Sequence, residues 1–134
     1  SNFSRKRLDI LIGMSKLSRE FDIDGTVFEL QSLSSGELRQ VYIEAAKYDN
    51  TVQFPYELRR QILAKSLVKV AGLDIHDFMN DYEYKSKLLL IDSLGESFVS
   101  RLFNEYNILS EEVNTKYAIK TEEQMKEVLE DLKK

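Results

Sequence analysis

The sequence has no cysteine and only one histidine among its 134 residues. Disulfide bonds and thiolate metal sites are therefore excluded, and so is any metal site that needs several histidines. No other grouping of residues indicates a cofactor, so we expect none. A chain without cysteine suits a reducing compartment, and we predict a cytoplasmic location.

Long apolar runs are also missing, and the stretch KLLLID shows how short the existing ones are. A membrane-spanning helix needs about 20 apolar residues, so we predict no membrane span and no signal-peptide core. The chain has only one proline and five glycines, the residues that favour loops, so long loops are not expected. Helices should therefore dominate the fold.

Hydrophobic residues make up 43% of the chain and charged residues 31%, with a net charge of −4. This balance is typical of a folded globular protein, and the length suits a single domain spanning residues 1–134. We predict a mainly α fold, a helical bundle with an N-terminal β-hairpin. Its three parts are a basic helix at about 4–19, the hairpin at about 20–31 and the bundle at about 34–134.

Apolar residues at three- and four-residue steps predict the helices. Ser34 and Glu37 have the spacing of a capping box, so a helix should begin near Ser35 and run to about Tyr48. We expect it to bury Leu38, Val41, Tyr42 and Ala45. Further helices are predicted from Pro55 to a stop at Gly72, over about 82–92, from a capping box at Ser93 and Glu96 to about 106, and from about Thr121 onward. The sequence leaves open whether 82–106 is one bent helix or two, and Gly95 favours a break.

The segment EFDIDGTVFEL contains Asp24-Gly25, a dipeptide that favours a tight type I′ turn. A turn centred there pairs Phe21 with Phe28 and Ile23 with Thr26. Because side chains alternate across a strand, Phe21, Ile23, Phe28 and Leu30 then share one face. We therefore interpret this segment as a β-hairpin.

The same letters, DIDGT, resemble the first signature of the haloacid-dehalogenase-like hydrolases. That resemblance implies a nucleophile at Asp22, an acid/base at Asp24 and a buried parallel strand before them. The preceding residues, SKLSRE, are too polar for such a strand. A phosphohydrolase is therefore a remote alternative, and we predict that the protein is not an enzyme.

Seven tyrosines and seven phenylalanines are many for one small domain. Aromatic residues that the core does not enclose form exposed patches, and such patches mark partner sites. Four residues at helical spacing are the predicted partner-binding residues: Phe98, Leu102, Phe103 and Tyr106.

The order of elements resembles the small tail and baseplate assembly chaperones of tailed bacteriophages over about residues 20 to 107. The resemblance rests on a short strand pair that ends in VFELQSLSSGELRQV, on ILAKSLVKVAGLDI, and on LLLIDSLGESF. The last of these keeps Ser93, Gly95 and Glu96 of a motif close to F-L-x-x-R-x-x-S-x-G-E. Ile91-Asp92 stand where that motif has a basic residue nearby, and the basic helix before the hairpin is a second difference.

This resemblance implies a binding protein that holds an apolar segment of a tail tube, hub or tape-measure protein in the host cytoplasm. The alternative is a small regulator that binds nucleic acid or a host polymerase through the basic helix at 4–19. Acidic residues outnumber basic ones by 23 to 19, which argues against nucleic acid. Homo-oligomer formation is left open.

Overall fold

The computed structural model describes residues 2–75 and 83–117, together with residues 126, 127, 129, 130 and 133. The fold is mainly α with an N-terminal β-hairpin, as predicted. The final helix predicted from about Thr121 lies largely outside the described residues, as does Tyr82. The described elements are α1 (Asn2–Met14), β1 (Ser18–Ile23), β2 (Thr26–Gln31), α2 (Ser35–Ala45) with a 3-10 turn (Ala46–Tyr48), α3 (Phe54–Ser66), β3 (Leu67–Val70), β4 (Leu73–Asp74), α4 (Glu83–Ser93) and α5 (Glu96–Tyr117).

The hairpin of β1 and β2 has the predicted register, with Phe21 opposite Phe28 and Ile23 opposite Thr26. Asp24 and Gly25 both have positive φ, at 51° and 86°, which is the backbone of a type I′ turn. The Gly25 N–H also donates to Asp22 Oδ1 at 2.8 Å. Local turn chemistry is therefore sufficient to place this reversal.

The hairpin belongs to a larger antiparallel sheet in the order β1-β2-β3-β4, which the sequence did not predict. The third helix was expected to reach Gly72, but α3 ends at Ser66 and the chain continues as β3. The Ser66 hydroxyl donates to the Gln31 carbonyl at 2.7 Å, and β3 pairs with the free edge of β2. Gly72 serves instead in the turn to β4, where it and Ala71 have positive φ.

The first helix is shorter than the predicted 4–19, because α1 ends at Met14. Leu17 is tied to the end of β2: its N–H donates to Ser32 Oγ at 2.9 Å, and its carbonyl accepts from the Ser32 N–H at 2.8 Å. Arg19 consequently lies on β1, opposite Leu30, and not on a helix. Pairing with a strand overrides the helical periodicity of this segment.

The segment that the sequence left open as one bent helix or two forms two helices, α4 and α5, and the break includes Gly95. Ser93 was expected to cap the second of them, but its hydroxyl donates to the Leu89 carbonyl at 2.7 Å within α4. The Gly95 carbonyl accepts the N–H groups of Phe98 and Val99, each at 3.0 Å, and so begins α5.

One core joins the sheet to the helices. Phe28 of β2 meets Phe98 of α5 edge to face, with ring centroids 5.5 Å apart. The buried residues of the core are Ile23, Phe28, Leu30, Val41, Ile62, Leu63, Leu67, Ile75, Ile91, Val99, Leu102, Tyr106 and Leu109.

The capping box of α2 forms as predicted: the Glu37 N–H donates to Ser34 Oγ at 3.2 Å, and the Ser34 N–H donates to Glu37 Oε1 at 2.8 Å. Lys16 Nζ also reaches Glu37 Oε1 at 3.2 Å. Burial opposes the charged form of Glu37, but the hydrogen bonds from Ser34 and Lys16 outweigh it and lower the pKa of this carboxyl.

We expect the capping box to give a pH-dependent stability. Ser34→Ala should lower the free energy of unfolding by about 1 kcal/mol. The pKa of Glu37 is lower in the folded chain than its ordinary value of 4.5, so its contribution is present above that value and lost as pH falls through the folded pKa. Urea unfolding should therefore separate Glu37→Gln from the unaltered chain at neutral pH, and the difference should shrink as the pH falls below 4.5. A difference that does not change with pH would contradict this stabilising role of the Glu37 carboxylate.

Candidate protein-binding surface

The four predicted partner-binding residues all lie on α5, but the core takes most of their surface. Leu102 is 1% exposed and Tyr106 is also buried. Phe98 and Phe103 are half-buried and pack against the core. Phe103 stacks on Tyr106, with ring centroids 6.0 Å apart and planes 8° apart. Leu102 is therefore too buried to contact a partner in this conformation. A binding role for the four residues remains a prediction, and the half-buried Phe98 and Phe103 fit it best.

The helix α2 carries apolar side chains whose exposure the sequence did not predict. Leu38 and Tyr42 were expected to be buried with Val41 and Ala45, but only the latter two are. Tyr42 is 50% exposed, and Leu38 lies one turn before it on the same side of the helix. Because Val41 and Ala45 fill the space beneath α2, Leu38 and Tyr42 flank the buried stripe and face solvent.

The Tyr106 hydroxyl of α5 has a perturbed pKa to which Tyr42 of α2 contributes. Burial raises the pKa of the Tyr106 hydroxyl, and the nearby Tyr42 raises it further. Tyr106 in turn carries the stacked ring of Phe103. Leu38 and Tyr42 form the exposed apolar side of α2, which we call the α2 surface. Leu38 and Tyr42 could have been found from their four-residue spacing, but spacing alone does not tell an exposed pair from a buried one.

A cavity of about 340 Å³ lies where α3 meets the corner between α4 and α5. Two arginines of α3 dominate it: Arg59 binds both carboxylate oxygens of Glu96 at 2.7 and 2.8 Å, and Arg60 binds both of Asp92 at 2.7 Å. These bidentate ion pairs raise the pKa of each arginine, and the pair with Arg59 lowers the pKa of the Glu96 carboxyl. The four charges neutralise one another and hold the α4–α5 corner against α3.

The DIDGT segment lies at the β1–β2 turn of an antiparallel sheet. In the hydrolase family it resembles, the two aspartates follow a central parallel strand, so the geometry of Asp22 and Asp24 does not match that site. Within residues 2–75 and 83–117, no three histidine, aspartate or glutamate side chains are grouped so that they could hold a metal ion.

The exposed surface of the basic helix α1 is not only basic but also apolar. Its Arg5–Lys6–Arg7 cluster is exposed, but so are four aliphatic residues of the same helix: Leu8, Ile10, Leu11 and Ile12. Every residue from 5 to 13 is exposed. The aliphatic side chains of α1 can make an apolar contact in addition to any contact of its cations with acidic groups.

Comparison of the chain with known protein families, curated proteins and solved structures finds no match. Among the residues that the structure describes, no helix combines the length and apolar character needed to cross a bilayer.

Proposed function

We propose that this protein is a non-enzymatic binding factor that holds an apolar segment of another protein, and that it acts as a tail or baseplate assembly chaperone of a tailed bacteriophage. The observation that carries the binding role is the α2 surface, where the apolar side chains of Leu38 and Tyr42 face solvent. The phage role comes from the sequence resemblance.

The composition of the surface favours an apolar helix or loop as the ligand. Tyrosine has a large apolar ring for the contact and a hydroxyl that hydrogen-bonds to water when the site is empty. Both properties suit a site that binds and releases its ligand. The adjacent Lys16–Glu37 ion pair supplies a polar rim. A surface of this kind supports reversible binding of modest affinity without any covalent step.

Co-expression with candidate clients tests this function. We expect the protein to co-purify from the host cytoplasm with a tail tube, hub or tape-measure protein, and to keep that client soluble. A client that stays equally soluble without it, and no association with any virion protein, would refute the chaperone role.

Tyr42→Ser is expected to weaken client binding about tenfold, because a half-exposed aromatic ring at the centre of an interface typically contributes more than 1 kcal/mol. Ile43→Ser is the matched control: Ile43 is also 50% exposed but lies about 100° further around α2. Titration calorimetry with the client measures both affinities, and far-UV circular dichroism checks that both variants fold. Equal weakening by the two substitutions would place the contact elsewhere.

The alternative function is nucleic-acid or host-polymerase binding through α1, which the exposed Arg5–Lys6–Arg7 cluster favours. Phosphate contacts release counterions, so such binding must fall steeply with salt. Fluorescence anisotropy with a labelled duplex and a single strand, at low and at moderate salt, decides this. No binding at low salt would end the nucleic-acid alternative.

A further inference from the structure

The helix α1 buries no described side chain of its own. Leu8, Ile10, Leu11 and Ile12 are 57 to 61% exposed, although α1 has only 13 residues. Isolated helices of this length are marginal in water, and most helical stability in proteins comes from packing an apolar face. A partner that covers these exposed aliphatic side chains would therefore stabilise α1.

Charge separates α1 from the rest of the chain. Residues 2–14 contain Arg5, Lys6, Arg7 and one acidic residue, Asp9, which gives a net charge of +2. The whole chain carries −4, so the remaining residues carry −6. An acidic surface is consequently the expected complement of α1, and the same chain supplies acidic surface in excess.

The sheet presents such a surface on the side away from the core. Phe21, Ile23, Phe28 and Leu30 face the core, so the alternate residues of β1 and β2 lie on the opposite side. The strand pairings place Lys69 beside both Glu29 and Asp74 on that side. We call it the outer sheet face; its members are Glu20, Asp22, Val27, Glu29, Lys69 and Asp74.

One pairing on the outer sheet face is unfavourable within a single copy. Glu20 of β1 lies directly opposite Glu29 of β2. Like charges opposite each other across a strand pair are destabilising. Lys69 lies beside Glu29 and offsets part of this repulsion, and further positive charge would offset more of it. With four acidic residues and one lysine, the outer sheet face is the part of the described sheet that a basic helix would stabilise most.

We propose that α1 of one copy docks on the outer sheet face of a second copy, and that α1 of the second copy docks in the same way on the first. Arg5, Lys6 and Arg7 approach Glu20, Asp22 and Glu29, while the aliphatic residues of α1 cover Val27 and the stems of the charged side chains. Both complementary surfaces lie on one chain, so a two-fold symmetric dimer satisfies both at once. Direct pairing of two α1 helices instead leaves the acidic face uncovered.

Charge reversal tests this dimer on the protein alone, without any client. Sedimentation equilibrium at low salt should show a dimer that weakens as salt rises. The triple variant Arg5→Glu, Lys6→Glu, Arg7→Glu should raise the dissociation constant at least about tenfold. The double variant Glu20→Lys, Glu29→Lys should do the same, and an equimolar mixture of the two variants should restore association. Arg39→Glu, an exposed reversal on α2, is the control and should leave it unchanged.

The results that overturn the proposal are equally distinct. A monomer at about 100 µM protein in low salt would exclude the dimer as a stable species. If the mixture of the triple and double variants fails to associate, α1 does not bind the outer sheet face. If the double variant does not fold, the triple variant still decides, because α1 buries no described side chain. Binding of a monomeric chain to vesicles of phosphatidylcholine and phosphatidylserine, lost in the triple variant, would assign α1 to a lipid surface instead.

Discussion

Replacing Leu102 with alanine is expected to lower the free energy of unfolding by about 2–5 kcal/mol, the range for truncating a fully buried leucine. Leu102 is in the core cluster of α5, the sheet and α3. Its neighbours come from several elements, so they cannot all move in to fill the space that the missing side chain leaves. Urea unfolding, followed by circular dichroism and analysed by linear extrapolation, measures the loss.

Leu89→Ala is the matched control, because Leu89 lies on α4 and is largely exposed. We expect it to change stability by less than about 0.5 kcal/mol. A Leu102→Ala variant as stable as the unaltered chain would contradict the core placement and return Leu102 to the candidate binding residues. Client binding by Leu102→Ala is informative only under conditions where the variant remains folded.

Features governed by neighbouring residues were predictable from the sequence. The Asp24-Gly25 turn fixes the register of β1 and β2, and Ser34 with Glu37 forms the expected capping box. Pro55 lies in the first turn of α3, and Gly95 separates α4 from α5. In each case the backbone conformation depends on residues within one turn or one hairpin, which a sequence displays directly.

Features governed by distant residues were not predictable. Leu67 to Val70 continue the apolar periodicity of α3, and they form a strand that pairs with the distant free edge of β2 and with the short strand β4 that follows it. The periodicity of a short segment contains no information about a distant strand partner. Pairing with such a partner overrides the helix propensity of the segment. The local signals for β3 were the β-branched Val68 and Val70 and the glycine of the Ala71-Gly72 turn that leads to β4.

The candidate site shows the same division. Helical spacing correctly put Phe98, Leu102, Phe103 and Tyr106 on one helix, but it could not say which neighbours would cover them. The solvent-facing position of Tyr42 depends on how α2 packs over α3, which no local pattern encodes. The fold class was therefore accessible from the sequence, while the choice between core and surface aromatics required the packed chain.

The second large effect is expected at the ion pair between Arg19 and Glu105, which ties the hairpin to α5. Arg19 Nε lies 2.7 Å from Glu105 Oε2, and the Glu105 side chain is only 7% exposed. Arg101 Nε is 3.4 Å from the other carboxylate oxygen, so it offsets only part of the charge. Arg19→Ala leaves a buried carboxylate short of its main partner, and we expect it to cost about 2–3 kcal/mol.

A double-mutant cycle isolates this contact. Glu105→Gln alone should cost less than Arg19→Ala, because a neutral amide tolerates burial better than an unpaired carboxylate. The Arg19→Ala, Glu105→Gln double variant should therefore recover part of the loss, giving a coupling of about 1 kcal/mol or more. Glu112→Ala is the control: Glu112 reaches Arg19 at 3.3 Å but is half exposed, so its removal should cost less than about 0.5 kcal/mol. Additive single and double variants would show that the hairpin is held to α5 by apolar packing of Phe28 on Phe98, and that the ion pair contributes nothing beyond it.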